Sequence, residues 1–179
     1  MNSVVGSVLI DTCTLENFAI VDELALLGQH YRERAQWTET IKYEIQRGLT
    51  AEPRLQSVLD ATWLGEPLSV PASPKALLKI DQIRRGLGGQ QDRPTQHLGE
   101  AEIIYYLEQR EPTWILLSDD QAAVDLARRR GLNAIDTPEV LSECHAYGEI
   151  GCPDAYNLLL KMQDADRGVR VPADHRAVC

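Results

Sequence analysis

The stretch His97–Ala127, HLGEAEIIYYLEQREPTWILLSDDQAAVDLA, decides how the rest of the chain is read. It predicts a helix over residues 98–110, a short buried strand over 113–117, and a second helix over 119–130. Acidic residues stand at the mouth of both helices. Gly99-Glu100-Ala101-Glu102 opens the first; Ser118-Asp119-Asp120 falls where the strand ends and the second helix begins. In an open parallel α/β sheet, ligands bind at that end of a strand. A carboxylate pair there caps a helix or, joined by acids from elsewhere in the chain, holds a metal.

Working outward, the same alternation recurs. Residues 4–10 (VVGSVLI) are an apolar, β-rich run, the pattern of a parallel strand buried on both faces. Asp11 and Thr12 follow at once, and from Thr14 the apolar residues fall at helical spacing until Gly28, a plausible stop. Asp11 therefore ends a strand and starts a helix, a place where Asp is also a strong N-cap. Residues 35–37 suggest a short strand. Thr38 suits the N-cap of a helix over 39–47, with Ile41 and Ile45 inward and Glu44 on the border of that face. Further helices are expected over 53–63, 75–85, 139–147 and 153–166, and a short strand over 133–135. The glycines of residues 86–95 (GLGGQQDRPT) lack the Gly-Lys-Ser/Thr ending of a phosphate loop, and no strand precedes them. Strands alternating with helices predict an α/β fold around a parallel sheet. Right-handed crossovers place all strand C-termini on one edge, and Asp11 and Asp119 both fall there.

The composition narrows the chemistry. The chain has 179 residues, enough for one domain with a sizeable core, and 44% are hydrophobic. A net charge of -9 excludes a general nucleic-acid coat, which depends on Lys and Arg. It suits a site of carboxylates completed by cations; any nucleic-acid substrate then needs local basic groups, for which Arg32, Arg34, Lys42, Arg47, Arg84 and Arg85 are candidates. Cys13, Cys144, Cys152 and Cys179 form no Cys-x-x-Cys pair and read as reduced thiols of a cytoplasmic protein. No basic region followed by a long apolar run opens the chain, so neither a secretory signal nor a membrane span is expected.

No histidine stands beside a Ser or Cys elbow, and His-Glu-x-x-His is absent. What converges is oxygen: Asp11, Glu102, Asp119 or Asp120, and one acid from the middle of the chain. Oxygen-only clusters select Mg²⁺ or Mn²⁺ and serve phosphoryl transfer. A haloacid-dehalogenase-like phosphatase needs a second Asp where Cys13 stands. A receiver domain needs an acidic neighbour for Asp11 and a late Lys, and no Lys occurs between Leu132 and Lys161.

The sequence resembles PIN-domain ribonucleases, above all the toxins of toxin–antitoxin pairs. The resemblance rests on Val8-Leu9-Ile10-Asp11-Thr12, the helix from Thr38 with Glu44, Leu98-Gly99-Glu100-Ala101-Glu102 and Leu116-Leu117-Ser118-Asp119-Asp120, in that order. It implies a three-layer α/β/α fold with a mostly parallel five-stranded sheet. It divides the chain into a nuclease domain over residues 1–147 and a C-terminal helical extension, 148–179, packed on it. It implies Mg²⁺- or Mn²⁺-dependent endonucleolytic cleavage of single-stranded RNA by water, leaving a 5′-phosphate and a 3′-hydroxyl. Asp11, Glu44, Glu102 and Asp119 match the family's acids. Asp120 competes with Asp119 for the metal, because a shift of one residue exchanges them; Thr12 and Ser118 support the site. Glu100 is read as a helix-start acid favoured by the dipole. RNA, an antitoxin and a second copy of the chain are the implied partners. A catalytically silent PIN-like binding module and a phosphatase are the alternatives.

Overall fold

The computed structural model describes residues 6–179. Strand β1 (Val8–Ile10) carries the expected buried run; Val4 and Val5 of that run lie outside the described residues. There follow α1 (Thr12–Ile20), α2 (Leu24–Tyr31), β2 (Ala35–Gln36), α3 (Glu39–Gly48), the single turn α4 (Gln56–Leu59), α5 (Pro74–Gly86) and α6 (Leu98–Gln109). The chain continues through β3 (Ile115–Leu117), α7 (Gln121–Arg129), β4 (Asn133–Ile135), α8 (Thr137–Ala146) and α9 (Cys152–Asp164).

The four strands pair in parallel in the order β2-β1-β3-β4. Alternate side chains of a strand point to opposite faces. Val8, Leu9 and Ile10 are all fully buried, so both faces of the sheet are covered, as a parallel sheet requires. The register aligns the strand ends: Ile10 lies opposite Leu117, and Leu117 opposite Ile135. The next residues, Asp11, Ser118 and Asp136, therefore emerge side by side. The ladder continues one step into them, with Asp11 N–H donating to the Leu117 carbonyl (3.0 Å) and Ser118 N–H to that of Ile135 (3.1 Å).

Several expectations change. Four strands, not five, occur among the described residues. The extended chain near Leu68 meets Thr38 at one isolated parallel bridge, too brief for a ladder. The helical pattern after Thr14 belongs to two helices, separated where Asp22 takes a positive φ of 58°. Gly28 does not end the second of them; it lies inside α2, where a Cβ would stand 2.6 Å from Nε1 of Trp63. Residues 53–63 break into α4 flanked by two 3-10 turns.

The C-terminal segment is packed on the body. Arg167 donates to Glu16 and to Oδ1 of Asn17 (2.9 Å) on α1, and Val178 is fully buried. Cys152 and Cys179 form a disulfide, which corrects the reading of all four cysteines as free thiols. The tail folds back over the start of α9 and brings their Cα atoms to 5.3 Å, a closure that spacing in sequence does not reveal. Among the described residues, no helix is long and apolar enough to cross a membrane.

Candidate functional site

At the aligned strand ends, Asp11 caps α1: its Oδ1 accepts the Thr12 N–H at 2.6 Å. Its Oδ2 faces the other way and accepts from Ser118 Oγ at 2.9 Å and from Cys13 Sγ at 2.9 Å. Capping and site-building thus fall to different oxygens of one carboxylate. Ser118 Oγ also accepts the Asp120 N–H at 3.1 Å, so one hydroxyl fixes both Asp11 and the turn that carries Asp120. Asp120 caps α7 through Oδ1, to Ala122 N (2.9 Å) and Ala123 N (3.3 Å), while its Oδ2 lies 3.2 Å from Nδ1 of His97.

His97 precedes α6 with φ 57°, a left-handed conformation uncommon for a residue with a side chain. There it bridges Asp120 and, at 3.6 Å, Glu100 Oε1. His97, Glu100 and Asp120 bring one ligand atom each within 4.8 Å of one another. On the other flank, the Thr12 hydroxyl donates to Glu44 Oε2, tying α3 to the end of β1. Gly99 completes the approach of α6: a Cβ there would stand 3.2 Å from Glu44 Oε2 and 2.7 Å from Ile41 Cδ1. The result is a chain of contacts from Glu44 through Thr12, Asp11, Ser118 and Asp120 to His97 and Glu100.

The electrostatics follow from burial. Burial and then the charge of Glu100 hold Asp11 well above the usual carboxylate range, against the hydrogen bonds from Cys13 and Ser118; Glu44 adds to the rise. Burial, opposed by the Thr12 hydroxyl and reinforced by Glu100, Glu102 and Glu16, pushes Glu44 up to about 7. Burial also raises Glu100, with Asp120 adding and His97 opposing. Cys13 is raised by burial and by Asp11 and Asp119, which makes it a neutral donor rather than a thiolate. Among the described residues, neither Asp11 nor Glu44 has a Lys or Arg ion-pair partner, and Glu100 and Asp120 pair only with His97.

Two of the acids taken from the sequence are placed differently. Asp119 is buried and satisfied within the protein: Oδ2 accepts from Asn17 Nδ2 (2.7 Å), Thr137 Oγ1 (2.6 Å) and Thr14 Oγ1 (3.3 Å), and Oδ1 accepts Thr137 N–H (2.9 Å). Burial still raises its pKa, against those hydrogen bonds. Asp119 thus joins α1, β3 and α8. Glu102 is raised by burial, with the Thr40 hydroxyl opposing and Glu39 adding; it also contributes to the rise of Glu44, whereas the charge that acts most on Asp11 is that of Glu100. Glu100 and Glu102 are two residues apart on α6, about 200° around the helix axis. The two therefore reach the cluster from different sides, Glu100 toward Asp11 and Asp120 and Glu102 toward Thr40, Glu39 and Glu44.

Asp136, at the end of β4, plays no part in the motif readings above. It caps α8 in a capping box with Glu139, and despite burial Arg170 holds it below the usual range, so its charge is answered within the fold. Of the six basic candidates for phosphate contact, Arg84 is buried and bonded to Asp81 and to the carbonyls of Gln90 and Arg93, and Arg85 pairs with Asp81. Arg34 and Lys42 lie over the rings of Tyr31 and Trp37. Arg47 alone of the six lines a cavity that Glu44 shares.

The donor set fits a hard divalent cation. Its close part is the Glu100 and Asp120 carboxylates with the His97 imidazole; Asp11 and Glu44 are tied to it through Ser118 and Thr12, and among the described residues no Lys or Arg pairs with any of these acids. The absence of a side chain at Gly99 lets α6 close on Glu44, which brings the Glu44 carboxylate beside the helix that carries Glu100. A family model, DUF3368, described as a PIN domain, matches residues 7–177. No curated protein and no solved structure matches the chain.

Proposed function

The chain belongs to the PIN-domain family, and on that premise we propose that it is a metal-dependent endoribonuclease acting on single-stranded RNA. PIN domains are in general nucleases that bind divalent metals through acidic residues. One observation carries the reading for this chain. Asp11, Glu44, Glu100 and Asp120 are linked by Thr12, Ser118 and His97, and among the described residues no Lys or Arg pairs with them. Like charges so placed repel unless a cation is held among them.

Asp11, Glu44, Glu100 and Asp120 would hold Mg²⁺ or Mn²⁺, with His97 fixing the last two. When bound, such a cation neutralises the phosphate and lowers the pKa of an attacking water. The chain's own contribution is positioning. Ser118, with Cys13, fixes the orientation of the Asp11 carboxylate through Oδ2 and sets the Asp120 turn, and Thr12 holds Glu44 at the end of β1. A carboxylate oxygen left free of internal hydrogen bonds accepts the proton of the attacking water. Water adds to phosphorus, the P–O3′ bond breaks, and the departing 3′-oxygen takes a proton from solvent water, so the products are a 5′-phosphate and a 3′-hydroxyl.

The test is cleavage of single-stranded RNA with Mg²⁺ or Mn²⁺ by the wild type, Asp11→Asn and Glu100→Gln. Each substitution is expected to cost more than the roughly 10–100-fold lost with an outer hydrogen-bond partner of a metal ligand. Equal cleavage by all three proteins contradicts the proposal. On the same reading the enzyme is the toxin of a toxin–antitoxin pair, a homodimer silenced by its antitoxin. Growth arrest on expression, relieved by the product of the neighbouring gene, supports that role; normal growth counts against it.

A further inference from the structure

Beside Glu44 lies a cavity of about 240 Å³ lined by Glu39, Thr40, Tyr43, Glu44, Arg47, Thr95 and Leu98. It shares Glu44 with the acidic cluster, and Leu98 of its lining opens the same helix as Glu100. Tyr43 is 57% exposed, in a chain with only 6% aromatics, most of whose large rings are covered. The Arg47 guanidinium sits over its ring, 5.8 Å from the centroid. Leaving an aromatic face in water forgoes burial, and the Arg47 contact covers one side only. The cavity is smaller than the roughly 300–1,000 Å³ that hold drug-sized ligands, so it suits a single planar ring system.

We propose that Tyr43, with Arg47 and Leu98, forms a stacking subsite for one unpaired nucleobase of the RNA, next to the scissile phosphate. The inference rests on the nuclease reading above and deepens it. An aromatic face, a guanidinium plane and an apolar side chain recognise the flat face of any base. Glu39, Thr40 and Thr95 add polar groups to the lining, of the kind that meet the N–H and carbonyl groups of a base. A base within a duplex cannot present its face, so the subsite selects single strands. Arg47 also supplies positive charge beside the acid cluster of a chain whose net charge is -9.

The test measures affinity for a fluorescent single-stranded RNA, with Ca²⁺ as the cation, for wild type, Tyr43→Ala and Tyr43→Phe. Cleavage with Mg²⁺ is followed on the same proteins. Loss of one stacked base is worth roughly 5- to 150-fold in affinity. Tyr43→Ala is expected to weaken binding and raise KM within that range with kcat nearly unchanged, and Tyr43→Phe to retain wild-type values. An abasic site moved along the RNA should find one position that weakens the wild type but not Tyr43→Ala. If Tyr43→Ala binds and cleaves like wild type, the subsite is wrong while the nuclease reading stands. Tyr43-dependent binding without any cleavage leaves the subsite standing and removes the nuclease. Absence of RNA binding by the wild type, or loss by Tyr43→Ala of a protein partner alone, overturns the proposal.

Discussion

Gly99 of α6 faces the carboxylate of Glu44 on α3 so closely that a Cβ would stand 3.2 Å from Oε2 and 3.4 Å from Oε1. The same atom would meet Ile41 Cδ1 at 2.7 Å. Glycine inside a helix costs about 1 kcal/mol relative to alanine, so the residue is kept for this approach. Gly99→Ala gains that propensity but overpacks a tight contact, which costs about 1–3 kcal/mol. Thermal unfolding should show a small net destabilisation, and cleavage should fall by about tenfold or more as Glu44 is displaced. Unchanged cleavage would mean that the approach of α6 to Glu44 does not serve the site.

Asp119 is expected to behave as a structural residue. Asp119→Asn replaces an acceptor with an amide, and one of its atoms must then face the Thr137 N–H or the Asn17 amide with a donor of its own. A buried mismatch of this kind costs about 1–3 kcal/mol. Denaturant unfolding should register that loss, while Mn²⁺ affinity measured by calorimetry on the folded protein stays near wild type. A large loss of Mn²⁺ affinity would return Asp119 to the metal site.

His30 gives the fold a pH dependence away from the site. Its Nδ1 lies 2.6 Å from Glu149 Oε2 and its Nε2 3.3 Å from Glu143 Oε2, joining α2 to the end of α8. Hydrogen bonding to Glu143 leads the upward shift of His30, burial opposes it, and Glu149 adds to it. A raised folded-state pKa makes the stabilisation complete below the unfolded value near 6.5, and it is lost as pH rises through the folded value. Relative to His30→Gln, the wild type should therefore be more stable at pH 6 than at pH 9, by about 1 kcal/mol. Urea melts at the two pH values check this; an equal difference at both would show that His30 stays neutral.

Tyr31, beside it, is almost wholly buried, and its hydroxyl has no hydrogen-bond partner among the described residues. Burying an unpaired polar group costs about 1–3 kcal/mol, and its removal keeps the ring packing. Tyr31→Phe is thus expected to leave stability unchanged or raise it by up to about 1 kcal/mol. A clear drop in Tm would reveal a partner for the hydroxyl.

The layout of strands and helices was legible because the local signals agree with the packing. The run around Val8–Ile10 is buried on both faces, Thr38 caps α3, and Ser73 caps α5 ahead of Pro74. Asp11 could be placed at the sheet edge by topology alone. What sequence could not supply was rotation about a helix axis and the choice between adjacent residues. The motif match takes Glu102 and leaves Glu100 a dipole role, whereas in the fold the charge of Glu100 acts most on Asp11 and both act on Glu44, a matter of helix rotation that a string does not carry. Asp119 and Asp120 differ by one residue, yet one turns toward Asn17 and Thr137 and the other toward His97. The role of His97 depends on a positive φ that no pattern announces. Gly28 reads as a stop until Trp63, remote in sequence, is seen to fill its side.

The measurement closest to the central claim compares Glu100→Gln with Glu102→Gln for Mn²⁺ binding and for Mn²⁺-dependent cleavage of single-stranded RNA. Glu100, between Asp120 and Asp11, should be required: Glu100→Gln loses measurable Mn²⁺ binding and cleavage together. Glu102→Gln, which keeps the Thr40 contact and removes only a charge near Glu39 and Glu44, should retain both within a few-fold. Loss of both activities in Glu102→Gln with Glu100→Gln unaffected would contradict the account.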